Sequence, residues 1–316
     1  MKRLSGMLIG VVLALFLTAC TADRATEDEA RLQVVATTTL VGDVVRIVGG
    51  EQIRLTVMLP AGGDPHGFNP TPQDVTRAAN ADAVFINGLD LEGFMAEMLE
   101  NADSEMNIVA VSDGIEANEF ADAQDEQDAE HEDADAEHSH GAFDPHVWWN
   151  PLNVAVWADN IARELARLDP ENAAVYGENA AAYRQQLIEL DTWIQEQVAQ
   201  IPTAQRILVT DHDSLGYLET TYGLEIIGTV FPGLSTQADP SAQELAQLTE
   251  AIQAFNVPAV FVGSTVNTQL AEQVAHETGV QVIVIYTDSL SDENGVAGSY
   301  LEFMRWNITT IVSALR

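Results

Sequence analysis

The side chains best suited to chemistry in this sequence are three histidines and an aspartate, each in a distinctive setting. His66 lies in Gly62-Gly63-Asp64-Pro65-His66-Gly67-Phe68-Asn69-Pro70, and His146 in Asp144-Pro145-His146-Val147-Trp148-Trp149-Asn150-Pro151. The two Asp-Pro-His segments resemble each other. Proline beside each histidine, with a second proline a few residues on, stiffens the backbone that carries the imidazole. His212 lies in Thr210-Asp211-His212-Asp213, and Asp288 in Tyr286-Thr287-Asp288-Ser289. Three imidazoles and one carboxylate make a closed set of ligands suited to a divalent transition metal. Taken singly, the same residues have plainer readings: a loop histidine at the surface, an aspartate capping a helix, a capping cluster around His212.

The elements around these residues give three of them a common location. Short apolar runs that read as strands are Leu32–Thr38, Ile53–Leu59, Ala83–Asn87 and Ile108–Val111. A second set comprises Arg206–Thr210, Leu224–Val230, Ala259–Val262 and Val280–Tyr286. Helical patterns such as Pro72–Ala81, Ser241–Phe255 and Thr268–Thr278 fall between them, so the expected class is α/β with mainly parallel sheets flanked by helices. His66, His212 and Asp288 each follow a strand, and open parallel sheets bind ligands beyond the carboxyl ends of their strands. His146 instead precedes a helix, Pro151–Leu168. Pro170 then opens a second helical stretch, Glu171–Gln200, closed by Pro202. At 1.5 Å per residue it would run roughly 45 Å, a rigid strut joining two lobes with limited movement between them. His276 reads as a surface residue of Thr268–Thr278. Trp148 and Trp149 read as packing that fixes His146, and Trp157, Trp193 and Trp306 as core or interlobe packing.

Bulk composition bounds the rest. The 316 residues suffice for two lobes. Hydrophobic residues make up 47% of the chain, as expected of a globular protein. A formal charge of -36 repels phosphate backbones, which argues against nucleic-acid binding. Cys20 is the only cysteine, so intrachain disulfides and cysteine-rich zinc sites are excluded.

That cysteine belongs to an address. Lys2 and Arg3 precede the apolar run Met7–Phe16, which is too short for a comfortable permanent span and fits a secretory signal. Leu17-Thr18-Ala19-Cys20 follows and resembles a bacterial lipobox. The expectation is a signal peptide at 1–19, lipid on Cys20, and an acidic tether at 20–31. A second acidic segment, Glu119–His140, is almost entirely Asp, Glu, Ala, Gln and His, and cannot bury enough surface to order itself. Its His131, His138 and His140 make it a candidate auxiliary loop that gathers zinc.

Several separated segments, in order, carry a family resemblance from about Leu32 to the C-terminus. They are Leu59–His66 with Pro70-Thr71-Pro72, Asp144–Trp148 with Asn150-Pro151, His212–Leu218, Tyr286–Leu290 and Tyr300–Asn307. The chain resembles the zinc- and manganese-binding group of ABC-transporter solute-binding lipoproteins. Gly67-Phe68-Asn69 departs from the pattern, where the family more often has Thr or Ser, Phe or Tyr, then Glu. The resemblance implies an N-terminal lobe at 32–169 containing the acidic loop 119–140, a linking helix at 170–201, and a C-terminal lobe at 202–316. It implies one metal in the cleft, held by His66 and His146 from the first lobe and by His212 and Asp288 from the second. It also implies a monomer outside the cytoplasm, anchored by lipid to the outer face of the membrane, that delivers its ion to an ABC permease. Zinc is favoured by the three imidazoles, with manganese the alternative.

Two other classes compete. A secreted zinc hydrolase would keep three protein ligands and an open position for water, with Asp288 as a base. The sequence contains no HExxH, GxSxG or glycine-rich phosphate loop to favour it. A surface adhesin would bind its partner without metal.

Overall fold

The computed structural model describes residues 31–95, 98, 106–120 and 143–316. The expected signal peptide, Cys20, nearly all of the tether, and the loop histidines His131, His138 and His140 lie outside the described residues.

The described residues form two four-stranded sheets, each parallel throughout. Strands β1 (Leu32–Ala36), β2 (Ile53–Val57), β3 (Ala83–Ile86) and β4 (Ile108–Ala110) take the order β2-β1-β3-β4. Strands β5 (Ile207–Thr210), β6 (Glu225–Thr229), β7 (Ala259–Gly263) and β8 (Gln281–Ile285) repeat that order as β6-β5-β7-β8. Each sequence-predicted strand appears, trimmed by a residue or two at most sites. The inner strands β3 and β7 read as unbroken apolar runs because both faces are covered; all five residues of β7 are buried.

Eight α-helices are assigned among the described residues: α1 (Thr39–Gly49), α2 (Pro72–Ala79), α3 (Pro151–Leu168), α4 (Ala173–Val198), α5 (Gly216–Tyr222), α6 (Ala242–Phe255), α7 (Gln269–Thr278) and α8 (Tyr300–Leu315). Their starts are written in the sequence. Thr71 and Asp74 form a reciprocal capping box ahead of α2, as do Ser241 and Glu244 ahead of α6. Asn150 caps α3 through the Leu152 N–H, with Pro151 in the first turn. Gly223 and Gly279 end α5 and α7 in the left-handed conformation that glycine adopts without cost.

Helix α4 lies between the two sheets in the chain and packs along α3, α1 and α8. Its 26 residues give about 39 Å. The sequence suggests one helix from Glu171; instead Pro170–Asn172 is a separate 3-10 turn. Asp169 explains the break, since its carboxylate accepts from Asn172 Nδ2 and Tyr176 Oη and holds the corner. Trp148, Trp149 and Trp157 are fully buried, whereas Trp193 and Trp306 are half-buried. Trp193 carries the Arg305 guanidinium 4.9 Å above its ring. No helix among the described residues is long and apolar enough to cross a membrane.

Candidate metal centre

The four sequence-selected side chains converge. One ligand atom from each of His66, His146, His212 and Asp288 lies within 4.8 Å of the others. Elements from both sheets bring them there. His66 sits on the loop after β2, His212 two residues beyond β5, and Asp288 three beyond β8. His146 opens the 3-10 turn Val147–Trp149 that feeds α3. His276, by contrast, is exposed on α7, away from this group.

The separations approach those that a coordination shell would need. His146 Nε2 is 3.3 Å from His66 Nε2 and 3.4 Å from His212 Nε2. Asp288 Oδ1 is 3.8 Å from Nε2 of both His146 and His212. Bonds of about 2.1 Å to a tetrahedral ion put neighbouring donors about 3.4 Å apart.

The donors are also oriented. Asp144 Oδ1 accepts from His146 Nδ1 at 2.8 Å, and Asp211 Oδ1 accepts from His212 Nδ1 at 3.1 Å. Each carboxylate thereby fixes the proton on Nδ1 and turns the Nε2 lone pair toward the centre. Both carboxylates are held in turn. Asp144 Oδ1 also accepts the His146 N–H, and Asp211 accepts from the N–H groups of His212 and Gly263 and from Thr210 Oγ1. Gly263 makes this fit possible, because a Cβ there would lie 2.8 Å from Asp211 Oδ2 and 2.3 Å from Thr287 Oγ1.

The two oxygens of Asp288 have different surroundings. Oδ2 accepts from Thr287 Oγ1 at 2.6 Å and Thr265 Oγ1 at 3.4 Å. Oδ1 is buried, faces the imidazoles and has no hydrogen-bond partner among the described residues. A buried carboxylate oxygen left so is costly unless a cation meets it. The residues therefore fit a metal ion.

Electrostatics agree with this arrangement. Burial pushes Asp288 up to about 6, opposed by the charge of His212. Burial pushes Asp144 up to about 7. For His212 burial opposes protonation, but Asp211 and Asp288 outweigh it and lift the ring to about 9. His146 is held well below the usual histidine range by burial and by the His212 charge.

Sequence reasoning passed over the supports that tie these segments together. Trp148 donates from Nε1 to the Thr287 carbonyl at 3.0 Å, joining the neighbours of His146 and Asp288. Tyr300 Oη donates to the Trp148 carbonyl at 2.6 Å, while the Tyr300 N–H reaches Asp43 on α1. Asn87 Nδ2 donates to the Pro145 carbonyl, and the turn that holds Asn87 is itself tied by the buried Glu92, which accepts from Thr37 Oγ1 and the N–H groups of Asn87 and Gly88. Asp64 Oδ1 accepts the His66 N–H at 2.9 Å, and its Oδ2 accepts from Thr236 Oγ1 at 2.6 Å. The contacts among these that join different segments link residues 55 to 257 positions apart, so local pattern carries no trace of them. Only the short Asp-to-histidine steps at 64–66, 144–146 and 211–212 were visible as a signal.

Comparison with known proteins agrees with the fold and with the resemblance. The model of the family described as ZnuA, zinc-uptake complex component A, periplasmic, matches residues 34–314. The chain is 31% identical to the manganese-binding lipoprotein MntA of Halalkalibacterium halodurans, over 100% of this chain and 99% of that protein. It is 30% identical to the metal ABC transporter substrate-binding lipoprotein FimA of Streptococcus parasanguinis, over 100% of this chain and 99% of that one. The solved structure of the periplasmic zinc-binding protein TroA from Treponema pallidum superposes with a TM-score of 0.78 at 28% identity, covering 90% of this chain and 99% of TroA. With two parallel sheets in the same arrangement and a match along nearly its whole described length, the chain belongs to the ZnuA family of periplasmic metal-uptake components.

Proposed function

We propose that this protein is an extracytoplasmic receptor that captures one divalent transition-metal ion on His66, His146, His212 and Asp288 and delivers it to the permease of an ABC importer. The observation that carries the reading is the unpartnered, buried Asp288 Oδ1, 3.8 Å from Nε2 of both His146 and His212. Four protein donors leave no position for a reactive water, which favours a carrier over a zinc hydrolase. The names of MntA, FimA and TroA support metal cargo, MntA's specifying manganese, TroA's zinc and FimA's only a metal. Three imidazoles favour zinc for this chain. Lipid on Cys20 would hold the receptor, as a monomer, at the outer face of the membrane beside the permease. The proposed division is an N-terminal lobe at 32–169, a linking helix at 170–201 and a C-terminal lobe at 202–316.

Elemental analysis of the protein purified from its native envelope tests the cargo. One zinc per chain is the expected result. One manganese would overturn the choice of metal, and a chain free of transition metal would overturn the reading.

Binding should also depend on pH in a defined direction. An imidazole must lose its proton to ligate, and His212 without an ion holds its proton up to about pH 9. Loading near neutral pH therefore expels that proton, and affinity rises as pH is raised toward 9 and falls as it is lowered. The expected slope is roughly tenfold per pH unit. Calorimetry of chelator-stripped protein in buffers of different ionisation enthalpy reads both effects; equal affinity on either side of the histidine range, with no proton released, would count against a histidine site.

A further inference from the structure

Three of the four proposed ligands are sealed. His146 and His212 have no exposed surface and Asp288 only 1%, whereas His66 is half-buried. Its segment, Ala61–Pro70, is a loop without regular structure beyond turns, and much of it faces solvent. An ion that leaves the centre must pass the side that His66 closes.

Two hydroxyls of the C-terminal lobe hold that loop. The Gly62 N–H donates to Ser289 Oγ at 2.8 Å, beside Asp288. On the other flank, Thr236 Oγ1 donates to Asp64 Oδ2 at 2.6 Å, and Gln237 Nε2 lies 3.5 Å from the same oxygen. The second contact reads directly onto the ligand, because the other oxygen of Asp64 accepts the His66 backbone N–H. Thr236 is well based for this role. Its loop is tied to the His212 segment by Phe231 N–H to the Asp211 carbonyl at 2.6 Å and by Asp213 N–H to the Gly233 carbonyl at 3.0 Å. One carboxylate thus joins the exposed ligand of one lobe to the frame of a buried ligand in the other.

We propose that Thr236 is a positioning residue which, through Asp64, staples the His66 loop to the C-terminal lobe and sets the rate at which a bound ion leaves. It rests on the metal reading given above. The staple forms only when the loop is down, so it slows departure without obstructing entry to an open loop.

Chelator-chase stopped-flow on the mature chain loaded with zinc tests this, with Thr236→Val and Thr236→Ser compared against the parent. Valine keeps the shape and removes the donor; serine keeps the donor. A hydrogen bond to a charged group is worth about tenfold or more in an equilibrium constant, and affinity changes of this kind fall mainly on dissociation. Zinc should therefore leave Thr236→Val about tenfold faster, with the association rate unchanged, and Thr236→Ser should behave as the parent. Parental dissociation in Thr236→Val, or equal slowing of association in both variants, would overturn the staple. A parent that binds no zinc would overturn the metal reading and the staple together; a parent that binds one zinc while the variants fail as described would overturn the staple alone.

Discussion

His146→Ala is expected to reduce metal affinity by about two to three orders of magnitude. Transition-metal sites of this kind bind with roughly 10–16 kcal/mol at neutral pH, so one ligand in four accounts for about 3 kcal/mol or more. His146 is the best choice because its Nε2 lies against both of the other imidazoles and against Asp288. Its loss opens the shell to water and also leaves Asp144 Oδ1 without the ring donor, keeping only the backbone N–H. A competition titration against a chromophoric zinc chelator measures the change. Affinity within about tenfold of the parent would show that His146 is not a ligand.

Asp211→Ala should cost both stability and affinity. The carboxylate is fully buried and held ionised: burial opposes its charge, but His212 and the surrounding donors prevail and keep its pKa below the usual aspartate value. Removing it strands the Gly263 N–H, the Thr210 hydroxyl and a charged His212 ring in the interior. Breaking a buried pair from one side costs about 3–5 kcal/mol, and losing the partner that orients a ligating histidine costs about 10–100-fold in affinity. Denaturant unfolding in the presence of chelator isolates the first effect, and the same chelator competition gives the second. Asp211→Asn separates them: it retains one acceptor for His212 but turns an amide donor toward either Gly263 or the ring. An unfolding midpoint for Asp211→Ala equal to that of the parent would refute the structural part of this account.

The sequence made the layered α/β plan readable because its strands are buried on both faces and its helix starts carry strong caps. Thr71-Pro72, Asn150-Pro151 and Ser241 with Glu244 mark α2, α3 and α6 to within a residue or two at their starts. Helices α1, α5 and α8 were less visible: α1 is so rich in valine and glycine that its composition leans toward strand, and α5 has only seven residues. The four site residues stood out because each breaks an apolar or proline-framed context with a metal-binding side chain. What could not be read was their support. Trp148 meets Thr287 across 139 positions and Asp64 meets Thr236 across 172, distances over which no periodicity or capping rule acts. Tertiary packing alone decides such pairs.

The repeated strand order has a bearing on how the protein is made. The four donor side chains come from positions 66, 146, 212 and 288, two on either side of α4. No stretch of the growing chain short of nearly its full length contains them all, and their convergence requires both sheets to be complete and docked. Long-range closure of this sort comes late, because the entropy of joining distant segments must be met before their contacts form. A complete site therefore forms only after both sheets have docked. A chain that ends before Asp288 lacks at least one donor, and loading at the complete site doubles as a test that both sheets have folded.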